Sequence, residues 1–162
     1  MYLNALEFLE EEREAFRPFE ALDALSDEQL DQPISEAHDW SGRDLIAHVV
    51  AWIEYGIQVA KELAVNEASP TKERIDREWD ESGGDALNQA ITDEWRALPM
   101  AEVRRRLREW PGELRGYLTV VPEARWVKHA DNLEFFLSET TEHYADHLHD
   151  LEAILDAASS GS

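Results

Sequence analysis

The sequence predicts an all-α protein: a four-helix bundle with a long crossover between its second and third helices. Apolar residues recur at three- and four-residue steps in four long stretches, the period of a helix with one buried face. No stretch alternates as a strand would, and no glycine-rich phosphate loop or internal repeat is visible. Seven Gly and six Pro in 162 residues are too few for a β-rich or disordered chain.

The first helix is expected over Leu3 to Leu25, with Leu6, Leu9, Phe16, Phe19, Leu22 and Leu25 inward and a kink or split at Pro18. Ser26 to Leu30 starts a short helical turn, and Asp31 to Asp39, with Pro33, is a connection. The second helix starts at Ser41, where Ser41 and Asp44 resemble a capping box, and runs to about Asn66. Its stripe is Leu45, His48/Val49, Trp52, Tyr55/Gly56, Val59 and Leu63.

Glu67 to Asp85 is polar, with Pro70, Gly83 and Gly84. It is expected to be the long crossover, with a turn of helix around Glu73 to Trp79, and a natural pocket wall. Ala86 to Val120 forms a third helical region, interrupted at Pro99 and bent near Pro111. Val121 to Asp131 is a loop. The last helix spans Asn132 to Ala157, and Ser159 to Ser162 is a frayed tail, so one domain is expected over residues 1–158.

Composition narrows the function. Asp and Glu number 36 against 15 Lys and Arg, a formal charge of −21 that repels nucleic-acid backbones and anionic membranes. The basic cluster Arg104, Arg105, Arg106 and Arg108 reads as a solvated face paired with Glu102 and Glu109. No apolar run approaches the roughly 20 residues that cross a bilayer. The N-terminus lacks a basic segment before its apolar residues, so a cytoplasmic protein is expected. With no cysteine, any metal falls to His and carboxylates, and any thiol must come from outside.

Three histidines carry the chemistry. His143 and His147 are four apart, one turn on one helix face, within the inward stripe Phe136, Thr140, His143, His147, Leu151 and Ile154. His48 occupies an inward position of the second helix. Three neutral imidazoles on facing helices can hold Zn²⁺, Ni²⁺ or Fe²⁺ with a coordination position left open. The same pattern also suits hydrogen-bonded core histidines. His38, His129 and His149 read as surface residues. Asp44 and Glu139 each precede a triad histidine by four residues, a register from which a carboxylate can orient an imidazole, although a cap and a solvated face describe them equally.

Trp40-Ser-Gly-Arg-Asp-Leu-Ile-Ala-His48, together with His143-Tyr-Ala-Asp-His147, resembles the DinB-like superfamily of four-helix bundles. The resemblance implies that His48, His143 and His147 are ligands of a divalent metal. Branches of that superfamily include thiol-dependent transferases and isomerases, such as mycothiol-dependent maleylpyruvate isomerases and bacillithiol transferases, and also colibactin self-resistance proteins. Nothing past residue 157 corresponds to the extra C-terminal domain of many mycothiol enzymes.

Three functions of different classes follow. The first is a transferase or detoxifying enzyme that delivers a low-molecular-weight thiol to a small electrophile at the metal. The second is a metal-activated hydrolase with Glu54 or Glu139 as base. The third is a binding or self-resistance protein that sequesters a small molecule. Trp40, Trp52 and Tyr144 are candidate pocket residues. The expected partner is a small-molecule substrate, with a homodimer in keeping with the resemblance.

Overall fold

The structure is a computed structural model and describes residues 1–161. It is all-α, with no strand among the described residues; one isolated bridge joins Ile34 and Trp40. No helix is long and apolar enough to cross a membrane among the described residues.

Helix α1 (Ala5–Phe16) begins at Asn4, whose side chain accepts from the Glu7 amide, and passes into a 3₁₀ segment, Arg17–Ala24, at the proline. Phe16, Phe19 and Leu22 are buried as expected, but Leu6 is exposed, and Phe8 and Glu12 are buried in addition. Helix α2 (Asp27–Asp31) is held by a capping box between Ser26 and Gln29.

Helix α3 (Gly42–Val65) carries the second expected helix and its Ser41/Asp44 capping box. Leu45, Val49, Trp52, Val59 and Leu63 are buried along it. It is the central element of the fold, packing against α4 (Pro70–Ser82), α5 (Gly84–Arg96), α6 (Met100–Leu118), α7 (Ala130–Glu139) and α9 (Leu148–Ser160).

The crossover is far more ordered than its composition suggests. Ser69 caps α4 by accepting from the Lys72 amide, Pro70 supplies a ready-made first-turn φ, and the Glu62 carboxylate accepts from the Thr71 amide at 2.8 Å. Gly83, at φ 76°, ends it in a backbone region that L side chains rarely adopt. Only Ile75 of α4 is fully buried, so the apolar stripe is too thin to read as a helix from sequence. Pro99 separates α5 from α6 as expected. Arg105 and Arg106 pair locally with Glu102, whereas Arg104 reaches Asp23 and Asp27 across about 80 residues and ties α6 to the N-terminal segment.

The last expected helix is divided in two places. Thr140 (φ −124°, ψ −100°) separates α7 from α8 (Thr141–Asp146), and His147 (φ −107°, ψ 6°) separates α8 from α9. The Thr140 hydroxyl donates to the Phe136 carbonyl at 2.6 Å, and the Thr140 amide turns instead to Leu137. A β-branched hydroxyl residue that bonds back four positions in this way competes with the helical ladder. At the far end, Ser159 and Ser160 continue α9 instead of fraying; Ser162 lies outside the described residues.

Candidate metal centre

His48 comes from α3, His143 from α8, and His147 from the junction of α8 and α9. The Nε2 atoms of His48 and His143 lie 2.9 Å apart. The three ring centroids are separated by 4.6 to 4.9 Å, and one nitrogen from each ring lies within 4.8 Å of the others. An ion bound tetrahedrally at 2.0–2.1 Å separates its nitrogen ligands by roughly 3.4 Å, a spacing bracketed by these distances. The cluster can therefore hold a divalent ion.

Protonation also suits ligation. Burial, reinforced by the neighbouring imidazoles, lowers the His48 pKa to about 4 and that of His143 to about 3. Both are neutral at pH 7, the form that binds metals. His147 Nδ1–H donates to Asp150 Oδ2 at 2.9 Å, which leaves its Nε2 lone pair for the cluster. Asp150 is only 3% exposed, and its other oxygen accepts from His38 Nδ1 at 2.8 Å. His38 and Asp39 both have positive φ (58° and 62°), and the Ile34–Trp40 bridge closes their loop. The same loop lays the Trp40 indole over His147, with centroids 5.5 Å apart and planes 25° from parallel, and places it 4.9 Å from His48.

The triad opens on a cavity of about 640 Å³. Trp52 and Asn88 form part of its wall, α4 contributes Lys72, Ile75, Asp76 and Trp79, and α7 contributes Asp131, Glu134, Phe135, Ser138 and Glu139. The crossover is thus a pocket wall, as its length suggests. Burial, with a smaller contribution from the charge of Asp76, raises the Glu139 pKa to about 8, so its carboxyl holds a proton near neutrality.

The other candidates separate clearly. Trp52 lines the cavity, and its Nε1–H donates to Asn88. Trp40 packs on the imidazoles from outside the lining. Tyr144 is not a pocket residue: it is buried against Phe16 and Phe19, and its hydroxyl donates to Glu12. Glu54 is half-buried but does not line the cavity. Asp44 does not orient His48; its carboxylate accepts from the Ser41 amide and pairs with Arg96 at 2.9 and 3.0 Å. No hydrogen bond joins Glu139 to His143, whose Nδ1 is buried without a partner. His129 caps α7 through the Asn132 amide, and His149 is exposed. Asp150 escaped the sequence reading, although its position three residues after His147 was the available signal.

Fold and site together define an all-helical protein in which His48 and the distant pair His143 and His147 can hold a metal ion beside a cavity. A family model described as the DinB superfamily matches residues 9–151, and the chain belongs to that superfamily. No curated protein and no solved structure matched the chain.

Proposed function

We propose that the chain is a divalent-metal enzyme that transfers a low-molecular-weight thiol to a small electrophile bound in the cavity. The observation that carries this reading is the His48–His143–His147 cluster opening on a 640 Å³ cavity, in a chain with no cysteine of its own. A Zn²⁺, Ni²⁺ or Fe²⁺ ion held by the three histidines would supply Lewis acidity, lowering the pKa of a thiol or water at the open position.

The protein's own groups support such a transfer. Asp150 fixes the His147 tautomer, and Trp40 covers the imidazoles. Trp52, Ile75 and Phe135 give the cavity an apolar wall that limits water. Glu139 holds a proton at its carboxyl. In a substitution, the sulfur–carbon bond forms while the carbon–leaving-group bond breaks. Glu139 gives its proton to the departing group and regains one from the thiol S–H.

The test is metal analysis of untagged protein, followed by cobalt substitution and addition of bacillithiol or mycothiol. About one equivalent of metal, a changed cobalt spectrum on thiol addition, and loss of both in His48→Ala are expected. A cobalt spectrum indifferent to thiols would remove the transferase reading. A second reading, hydrolysis, is favoured by the placement of Glu139, since a cavity carboxyl can serve as base to a water once deprotonated. Thiol-independent turnover that is lost in Glu139→Gln would select it.

A further inference from the structure

We infer that the cavity selects a small organic cation with an apolar body. The inference rests on the reading of this cavity as the substrate site, and deepens it by naming the substrate class.

The first observation is an aromatic wall that is exposed yet fixed. Trp79 is 46% exposed, one of the largest apolar side chains left in contact with solvent. Its ring is nevertheless held in place. It meets Trp52 edge to face, with centroids 5.8 Å apart and planes at 72°, and the Trp52 indole is itself anchored to Asn88. Behind it lies Gly84, where a Cβ would fall 2.4 Å from a ring carbon of Trp79. Glycine is therefore required for the indole to lie as it does. A positioned indole facing a cavity offers an apolar contact and a π-face that attracts cations, most strongly those that carry little water.

The second observation is charge. Among the residues lining the cavity are four carboxylic acids, Asp76, Asp131, Glu134 and Glu139, against one strong base, Lys72. Lys72 is already tied to Asp76 at 2.8 Å. Asp131 and Glu134 are exposed on the first turns of α7, with no ion pair among the described residues. The net charge of −21 adds a long-range field that draws cations inward and repels anions.

These features are compatible with a metal on the histidines. Asp131 and Glu139 lie eight residues apart on one helix, about 12 Å at 1.5 Å per residue. A substrate cation held near Asp131 and Glu134 is thereby kept away from the metal, with its uncharged reactive part toward His143 and Glu139. An anionic substrate would face the carboxylates at the mouth and leave the aromatic face of Trp79 without use.

Three probes sharing a benzyl group test this by calorimetry on the full, metal-free chain: benzyltrimethylammonium, 2-phenylethanol and phenylacetate. The cation is expected to bind at least tenfold more tightly than the alcohol, with phenylacetate weakest. Its affinity should fall with added salt, and fall at least fivefold both in Trp79→Ala and in Asp131→Asn/Glu134→Gln. Alcohol or phenylacetate binding as tightly as the cation would overturn the inference. So would absence of binding by all three, or a cation affinity unchanged in both variants. A parallel zinc titration separates the two ideas. Cation preference without zinc binding sinks the metal reading alone; zinc binding without cation preference sinks this inference alone.

Discussion

Asp150 is a buried carboxylate whose two oxygens each serve a different imidazole, His147 and His38. An acceptor opposite His147 Nδ1 holds the proton there and leaves Nε2 free. Asp150→Asn can instead present an amide N–H to Nδ1, which moves the proton to Nε2 and blocks the ligand atom. Zinc or cobalt affinity should drop on the order of 10- to 100-fold, while the melting temperature of the metal-free protein changes little. An unchanged cobalt titration would show that His147 is not a ligand. Asp150 was signalled only by its i, i+3 spacing from His147, and His38 was not legible as part of the site, because its contact with Asp150 spans 112 residues and depends on a left-handed turn at His38. Tyr144 and Glu12 teach the converse lesson. A glutamate on α1 reads as solvated, yet Glu12 is 1% exposed and accepts from both Arg115 and the Tyr144 hydroxyl. Tyr144→Phe leaves a buried carboxylate oxygen short of a donor and should cost about 1–3 kcal/mol in urea unfolding, with metal affinity intact.

At the scale of elements, caps and stripes were the readable features. Ser41 with Asp44 marked the start of α3, Pro99 marked the gap before α6, and the stripe from Phe136 through Ile154 put both histidines inward. Less was readable where tertiary contacts override local pattern. The division of the last helix at Thr140 and His147 depends on a side chain competing for the Phe136 carbonyl, which apolar periodicity does not register. Helix α4 of the crossover has one buried side chain, Ile75, and the segment is organised by Glu62, Ser69 and the packing of Trp79 on Gly84. Gly84→Ala tests that organisation. The added methyl group displaces the Trp79 indole and should cost about 1–3 kcal/mol, the usual penalty for overpacking. Trp79 fluorescence should change together with stability. An unaltered emission spectrum would show that the α4–α5 junction gives way without moving the ring.

For the whole molecule, the site sets a pH dependence of opposite sign on its two flanks. His48 and His143 have folded pKa values of about 4 and 3, below the ordinary 6.5. As pH falls below 6.5 the unfolded chain takes up these protons first, so stability is lost progressively down to the folded values. Glu139 works the other way. Its folded pKa is about 8 against an ordinary 4.5, so the folded state keeps a proton that the unfolded chain has released, and stability falls as pH rises through that window. Each proton contributes a slope of at most about 1.36 kcal/mol per pH unit. At pH 6.5 the unfolded pair of histidines holds about one excess proton, which balances the one withheld by Glu139, so the contribution of these three groups peaks near about pH 6.5. The comparison of wild type with Glu139→Gln isolates the upper flank, because the many other carboxylates titrate alike in both. Urea unfolding of the metal-free proteins between pH 6 and 8 should show wild type losing stability relative to the variant as pH rises. Parallel curves would mean that Glu139 ionises in the folded protein as readily as in the unfolded chain. Zinc should then reverse the wild-type trend. A dication in the cavity favours the carboxylate form, and an ion present at 100 times its Kd stabilises the fold by about 2.7 kcal/mol. At a fixed zinc concentration that gain should be smaller at pH 5, where Glu139 keeps its proton, than at pH 8, where its carboxylate form is available to the ion.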